Sequence, residues 1–278
     1  MFVGSHHLNG GMRAAPRHLA WLTLTLLLTH GCAGNRVAGL AAHYQLVAQT
    51  ASGGKFQHQL FLNRRRGNVL HVYIEGDGRA WLSPRRISPD PTPDNPLMLE
   101  LLSLDSAPAM YLGRPCYYQT PDPECSPVWW TNRRYAEEVV DSLSRVIDQF
   151  AVGYDGLALF GHSGGGTLAM LLAGRRTDVR VVVTLAGNLD NETWASLHDY
   201  TPLYGSLNPY YQAPLNAEIR QLHYIGAADS VVTVQLLQTA LEPQQRYEMR
   251  VIPEFDHACC WARIWPEILA EVNNIAPP

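Results

Sequence analysis

The chain has 278 residues, 46% of them hydrophobic and 17% charged, a globular composition that argues against a disordered or low-complexity chain. Its formal net charge of -4 provides no global basic footprint for nucleic acid, and none is expected as a partner. The length suits one large domain or two small ones, and a single α/β domain of this size buries a substantial core.

Arg13, Arg17 and His18 precede an apolar run over 19–29, and "HGCAG" follows. A basic segment, a short apolar run and small residues at a cleavage point form the pattern of an export signal over 1–31. The run is too short to span a bilayer comfortably. Leu28-Thr29-His30-Gly31 followed by Cys32 resembles the lipobox of bacterial lipoproteins, although threonine stands where leucine is usual and His30 is large. The resemblance implies cleavage before Cys32, lipidation of that residue and a membrane anchor facing the periplasm, with soluble secretion as the alternative. The mature chain is then 32–278.

Apolar or alternating stretches at 43–49 and 58–63 predict two strands joined by a short link, an antiparallel edge. Arg64-Arg65-Arg66 follows and reads as a solvated hairpin turn. A stronger strand over 69–74 runs into Glu75-Gly76-Asp77-Gly78. "NPLMLELLSL" predicts a short helix and "AMYLG" a short strand. Cys116 and Cys125 bracket a proline-containing loop, and a disulfide between them would restrict the unfolded chain. In "TNRRYAEEVVDSLSRVIDQF" Tyr135, Val139, Leu143 and Ile147 share a face, predicting an amphipathic helix capped by Thr131 or Asn132.

"GLALFG" predicts a buried strand and "GGTLAMLLAG" a helix, with "HSG" between them. Gly161-His162-Ser163-Gly164-Gly165 therefore fits G-x-S-x-G in a strand-turn-helix setting. The serine must occupy a sharp turn that projects its oxygen above the sheet, with small neighbours where the backbones approach. "VRVVVTLAG" is another apolar strand, followed by an irregular, tyrosine-rich insertion over about 188–217. Strand, helix, strand and helix complete the chain, with Asp229 after one strand and His257 after the last. Cys259-Cys260 is compatible with a vicinal disulfide, free thiols or other pairings, and no zinc-ligand spacing is present.

Strands alternating with helices imply right-handed crossovers and a mainly parallel sheet of about eight strands with helices on both faces. The order serine, acid, histidine at strand ends resembles the α/β-hydrolase superfamily from about 69 to the C-terminus. The resemblance implies that Ser163 is the nucleophile, His257 the base and Asp229 the acid, with Asp190 as the alternative acid. It implies oxyanion donors at the N–H of Gly164 and, in the loop after the 69–74 strand, of Asp77. Many hydrolases carry His-Gly there; this chain has two carboxylates, and Arg79, Arg85 and Arg86 are candidate partners for them. The insertion resembles a lid, and its Trp194 and Tyr204 are candidate substrate contacts. The implied activity is cleavage of a small-molecule ester by a monomer without metal or other cofactor. An acyltransferase on the same triad and a noncatalytic surface binding protein are the alternatives.

Overall fold

A four-residue link joins the first two strands. β1 (Val47–Ser52) and β2 (Gln57–Leu62) pair antiparallel, from Val47 opposite Leu62 to Ser52 opposite Gln57. The computed structural model describes residues 32–274 together with Met1, Phe2 and Gly4. The chain divides into two units, 1–32 and 33–278, and every strand of the fold belongs to the second. The expected signal over 1–31 falls almost wholly outside the described residues, as does the side chain of Cys32.

The remaining strands are β3 (Val69–Ile74), a short hairpin of β4 (Trp81–Ser83) and β5 (Arg86–Ile87), β6 (Ala109–Leu112), β7 (Gly156–His162), β8 (Val179–Leu185), β9 (Arg220–Gly226) and β10 (Glu248–Ile252). The eight-stranded sheet has the order β1-β2-β6-β3-β7-β8-β9-β10. β2 runs antiparallel to both of its neighbours, whereas β6, β3, β7, β8, β9 and β10 are mutually parallel. This is the expected architecture.

Seven helices accompany the sheet among the described residues: α1 (Cys32–His43), α2 (Leu97–Ser103), α3 (Glu137–Phe150), α4 (Gly164–Ala173), α5 (Asn191–Leu197), α6 (Val234–Leu241) and α7 (Trp265–Asn273). All seven residues of β7 and all ten of α4 are buried, so this strand and helix lie in the core. Tyr73 stacks on Phe160 with centroids 4.8 Å apart, and both rings meet the edge of Trp265 from α7. The predicted apolar face of α3 buries Val139, Leu143 and Ile147 completely, each contributing roughly 1.5–3 kcal/mol of transfer free energy.

Two expectations are corrected. The helix expected to start at Thr131 or Asn132 begins at Glu137, with Ala136 in the capping position and no side-chain cap. Residues 131–135 instead form turns, because the Thr131 carbonyl accepts from Arg134 Nε and the Arg134 guanidinium leaves the helix path. Arg64–Arg66 are exposed as expected, but their loop is not a hairpin: β6 lies between β2 and β3 in the sheet.

Candidate active site

The apolar run of β7 ends at His162, and α4 begins at Gly164. Ser163 must turn the chain within one residue. It does so at φ +51° and ψ −120°, a conformation that L-residues seldom adopt. The turn is held from both sides. Ser163 N–H donates to Leu185 O at 2.9 Å, and its carbonyl accepts from Gly166 N–H at 2.9 Å and Asn188 N–H at 3.1 Å. Gly165 lets α4 approach β3, since a Cβ there would run into the Ile74 carbonyl. The serine itself remains half-exposed.

Asp229 and His257 follow β9 and β10, neighbouring parallel strands. Such strand ends gather ligand groups in open α/β sheets. His257 Nδ1–H donates to Asp229 Oδ2 at 2.9 Å, with the Asp229 side chain fully shielded and His257 20% exposed. The other Asp229 oxygen accepts from the N–H groups of Val231 and Val232 at 2.8 and 2.9 Å, which fixes the carboxylate. Asp229 does not cap α6; Thr233 does, accepting from Leu236 N–H. Asp190 is committed elsewhere: it caps α5 through Thr193 N–H and also accepts from Thr193 Oγ1 and Asn208.

His162 joins the two halves of the site. Its Nε2–H donates to the carbonyl of His257 at 2.7 Å, and the two rings lie 4.9 Å apart. The residue preceding the serine thus ties down the loop that carries the histidine. Among the described residues Ser163 Oγ forms no hydrogen bond to His257. Serine–histidine hydrogen bonds of unliganded sites are often loose and tighten when substrate is bound.

The loop after β3 runs beside the serine, since a Cβ on Gly76 would stand 3.4 Å from Ser163 Cβ. Neither Asp77 N–H nor Gly164 N–H donates to any described residue. Gly164 also sits at the free N-terminus of α4, where N–H groups lack intrahelical acceptors. The two carboxylates of the loop are both neutralised or satisfied. Glu75 accepts from Met98 N–H at 2.9 Å at the start of α2, and from its neighbour Gly76. Asp77 accepts from Arg114 Nη1 at 2.5 Å, from Arg134 Nη1 at 2.8 Å and from Tyr135 OH at 2.7 Å. Burial alone would raise the Asp77 carboxyl, but the charges of Arg134 and Arg114 outweigh it and hold the group well below the usual carboxylate range.

The candidate partners Arg79, Arg85 and Arg86 are therefore corrected. Arg79 faces Asp94 at 3.5 Å, while Arg85 and Arg86 are exposed near the β4–β5 hairpin. The arginines that hold Asp77 lie 37 and 57 positions along the chain, a distance that local sequence pattern does not register.

Cys116 and Cys125 are paired, with Cα atoms 5.3 Å apart, well within the bridging range. Cys259 and Cys260 form a vicinal disulfide just after His257. Within the insertion, Trp194 Nε1–H donates to Val231 O at 3.0 Å and so lies beside the acid-bearing loop. Tyr204 is 69% exposed. Ser206 bonds Tyr135 N–H and Asn132 O, which pins the insertion to the segment carrying Arg134. A cavity of about 540 Å³ opens between α4 and the 209–219 segment, and one of about 270 Å³ beside Gly67, His71 and Pro108. Ser163, Asp229 and His257 line neither.

No family model and no curated protein matches the chain. Solved structures do. The chain is similar to Est1E from Butyrivibrio proteoclasticus at 13% identity and a TM-score of 0.57, over 81% of this chain and 97% of that one. It is similar to a membrane phospholipase A described as a bacterial virulence factor, at 15% identity and a TM-score of 0.56, over 86% and 90%. A serine hydrolase without a lid from Xanthomonas campestris aligns at 15% identity and a TM-score of 0.52, over 84% and 97%. Together with the strand order and the serine turn, these likenesses establish that the chain has the α/β-hydrolase fold.

Proposed function

We propose that this chain is an exported serine hydrolase that cleaves an ester-type bond through Ser163, His257 and Asp229. One observation carries the reading: a shielded aspartate orients a histidine from the neighbouring strand end, and that histidine's loop is tied to the residue before a sharply turned serine. A serine hydroxyl is a weak nucleophile until an oriented base takes its proton.

In this reading Ser163 Oγ attacks the ester carbonyl carbon while its proton passes to His257 Nε2. The N–H groups of Gly164 and Asp77 donate to the new oxyanion. The bond to the alcohol breaks, and His257 returns the proton to the leaving oxygen. Water activated by the same imidazole then hydrolyses the acyl-enzyme. Asp229 stays ionised and holds Nδ1–H, which fixes the tautomer. Trp194 and Tyr204 of the insertion provide an aromatic wall for the acyl or alcohol group. Cys32 is the lipidated N-terminus that holds the enzyme at the cell envelope, and the working unit is a monomer.

The test is a panel of p-nitrophenyl esters of increasing acyl length, assayed with the wild-type chain and Ser163→Ala. The expected result is turnover of at least one ester by the wild type and a loss of at least about 10³-fold in kcat/KM in the variant, with its fold retained by circular dichroism. Equal turnover by the two proteins overturns the assignment.

A further inference from the structure

Two arginines buried beneath the oxyanion loop stand out among the groups that the reaction steps do not touch. Arg114 and Arg134 are 1% and 6% exposed. Fully buried arginines are rare unless paired, and here both guanidinium groups converge on a single carboxylate, that of Asp77. A single carboxylate thus accepts from two guanidinium groups at once. Arg114 Nε, moreover, is buried without a hydrogen-bond partner among the described residues.

The cluster also abuts the proposed oxyanion site. A Cβ on Gly164 would collide with Asp77 Oδ1 and Tyr135 OH, so the carboxylate lies directly against the residue after the serine. The backbone of Asp77 is gripped as well, since Tyr117 OH donates to its carbonyl at 2.9 Å. Arg114 Nη2 donates to the Arg134 carbonyl at 3.2 Å, and its guanidinium faces the rings of Tyr117 and Tyr135 at 5.2 and 5.4 Å. Side chain and carbonyl of Asp77 are thereby fixed at once, and only its N–H is left without an acceptor.

We infer that Arg114 and Arg134 are positioning residues for the oxyanion hole: by clamping the Asp77 carboxylate they hold the Asp77 N–H toward Ser163 and cancel a negative charge that would oppose the forming oxyanion. The inference rests on the serine-hydrolase reading. Backbone donors stabilise a tetrahedral intermediate only when aimed where charge develops, and loss of one typically costs about 10²–10³ in rate. A clamp that acts through Asp77 should cost a fraction of that when loosened.

The variants Arg134→Gln and Tyr135→Phe test this, the second because it removes one hydrogen bond and no charge and so is expected to fold. Active sites are first counted by fluorophosphonate labelling, so that kcat is expressed per labelled Ser163. Arg134→Gln should lower kcat by about 10–100-fold and Tyr135→Phe by about 3–10-fold, each with KM changed less than about 3-fold. In an Asp77→Asn background Arg134→Gln should have little further effect, because the clamp has no carboxylate left to hold. An unchanged kcat per labelled site in Tyr135→Phe and in folded Arg134→Gln overturns the inference while leaving the hydrolase reading intact. Full additivity with Asp77→Asn, or a loss confined to KM, also overturns it. A wild type that labels at no serine removes the hydrolase reading itself, and the clamp with it.

Discussion

Ser163 occupies a positive φ that a side chain disfavours, and non-glycine residues in such regions cost of order 1–3 kcal/mol. That strain is retained because surrounding contacts over-determine the turn: the Leu185 carbonyl, the Gly166 and Asn188 N–H groups, and the close approach of α4 to β3. A comparison of two inactive variants isolates it. Ser163→Ala keeps a Cβ at the strained position, whereas Ser163→Gly removes it, so the glycine variant should be the more stable by about 1 kcal/mol despite its freer unfolded chain. Urea unfolding of both proteins measures the difference, and an alanine variant equal to or more stable than the glycine variant contradicts the strain. At this scale the sequence is legible where chemistry coincides with strand ends. Ser163, Asp229 and His257 each follow a strand-like stretch, which marks them as projecting from one edge of a sheet. The partners of Asp77 are not legible, because Arg114 and Arg134 sit in irregular segments whose path is set by tertiary contacts rather than by periodicity.

Buried histidines join neighbouring elements of the fold. His58 of β2 donates from Nδ1–H to Gly113 O at 2.8 Å and accepts from Ser142 Oγ of α3 at 2.7 Å, an arrangement that a neutral ring satisfies. Burial pushes it down to about 4. His223 of β9 pairs with Thr184 of β8 at 2.8 Å, and burial lowers it to about 3. Both folded values lie below the ordinary histidine value of 6.5, so below pH 6.5 the unfolded chain binds more protons than the folded one. The stability these groups contribute is complete above that pH and is lost progressively as the pH falls toward 4 and 3, by several kcal/mol in total. Urea unfolding free energies at pH 7.5, 6 and 4.5 should fall in that order; a flat profile would contradict neutral burial. The elements themselves are largely readable from sequence, β7 and α4 most clearly, because unbroken apolar runs bounded by glycine admit few other placements. α3 starts more than a turn later than cap chemistry predicts, since Thr131 has the side chain of a cap but spends its carbonyl on Arg134. The 64–66 loop deceives because a hairpin and a crossover over one intervening strand look alike in sequence.

Across the whole molecule the sheet acts as a frame that brings three distant positions to one edge. Ser163 follows β7, Asp229 follows β9 and His257 follows β10, while Arg114 and Arg134 hold Asp77 in the loop after β3. The insertion over 188–217 is pinned through Ser206 to the segment carrying Arg134. The central claim is that this assembly makes Ser163, and no other serine, an activated nucleophile. Incubating the folded chain with a fluorophosphonate and mapping the adduct by peptide mass spectrometry tests it most directly. A single adduct is expected on the peptide containing Ser163, formed much more slowly in His257→Asn; absence of that adduct in folded protein, or an unchanged rate in the histidine variant, would contradict it.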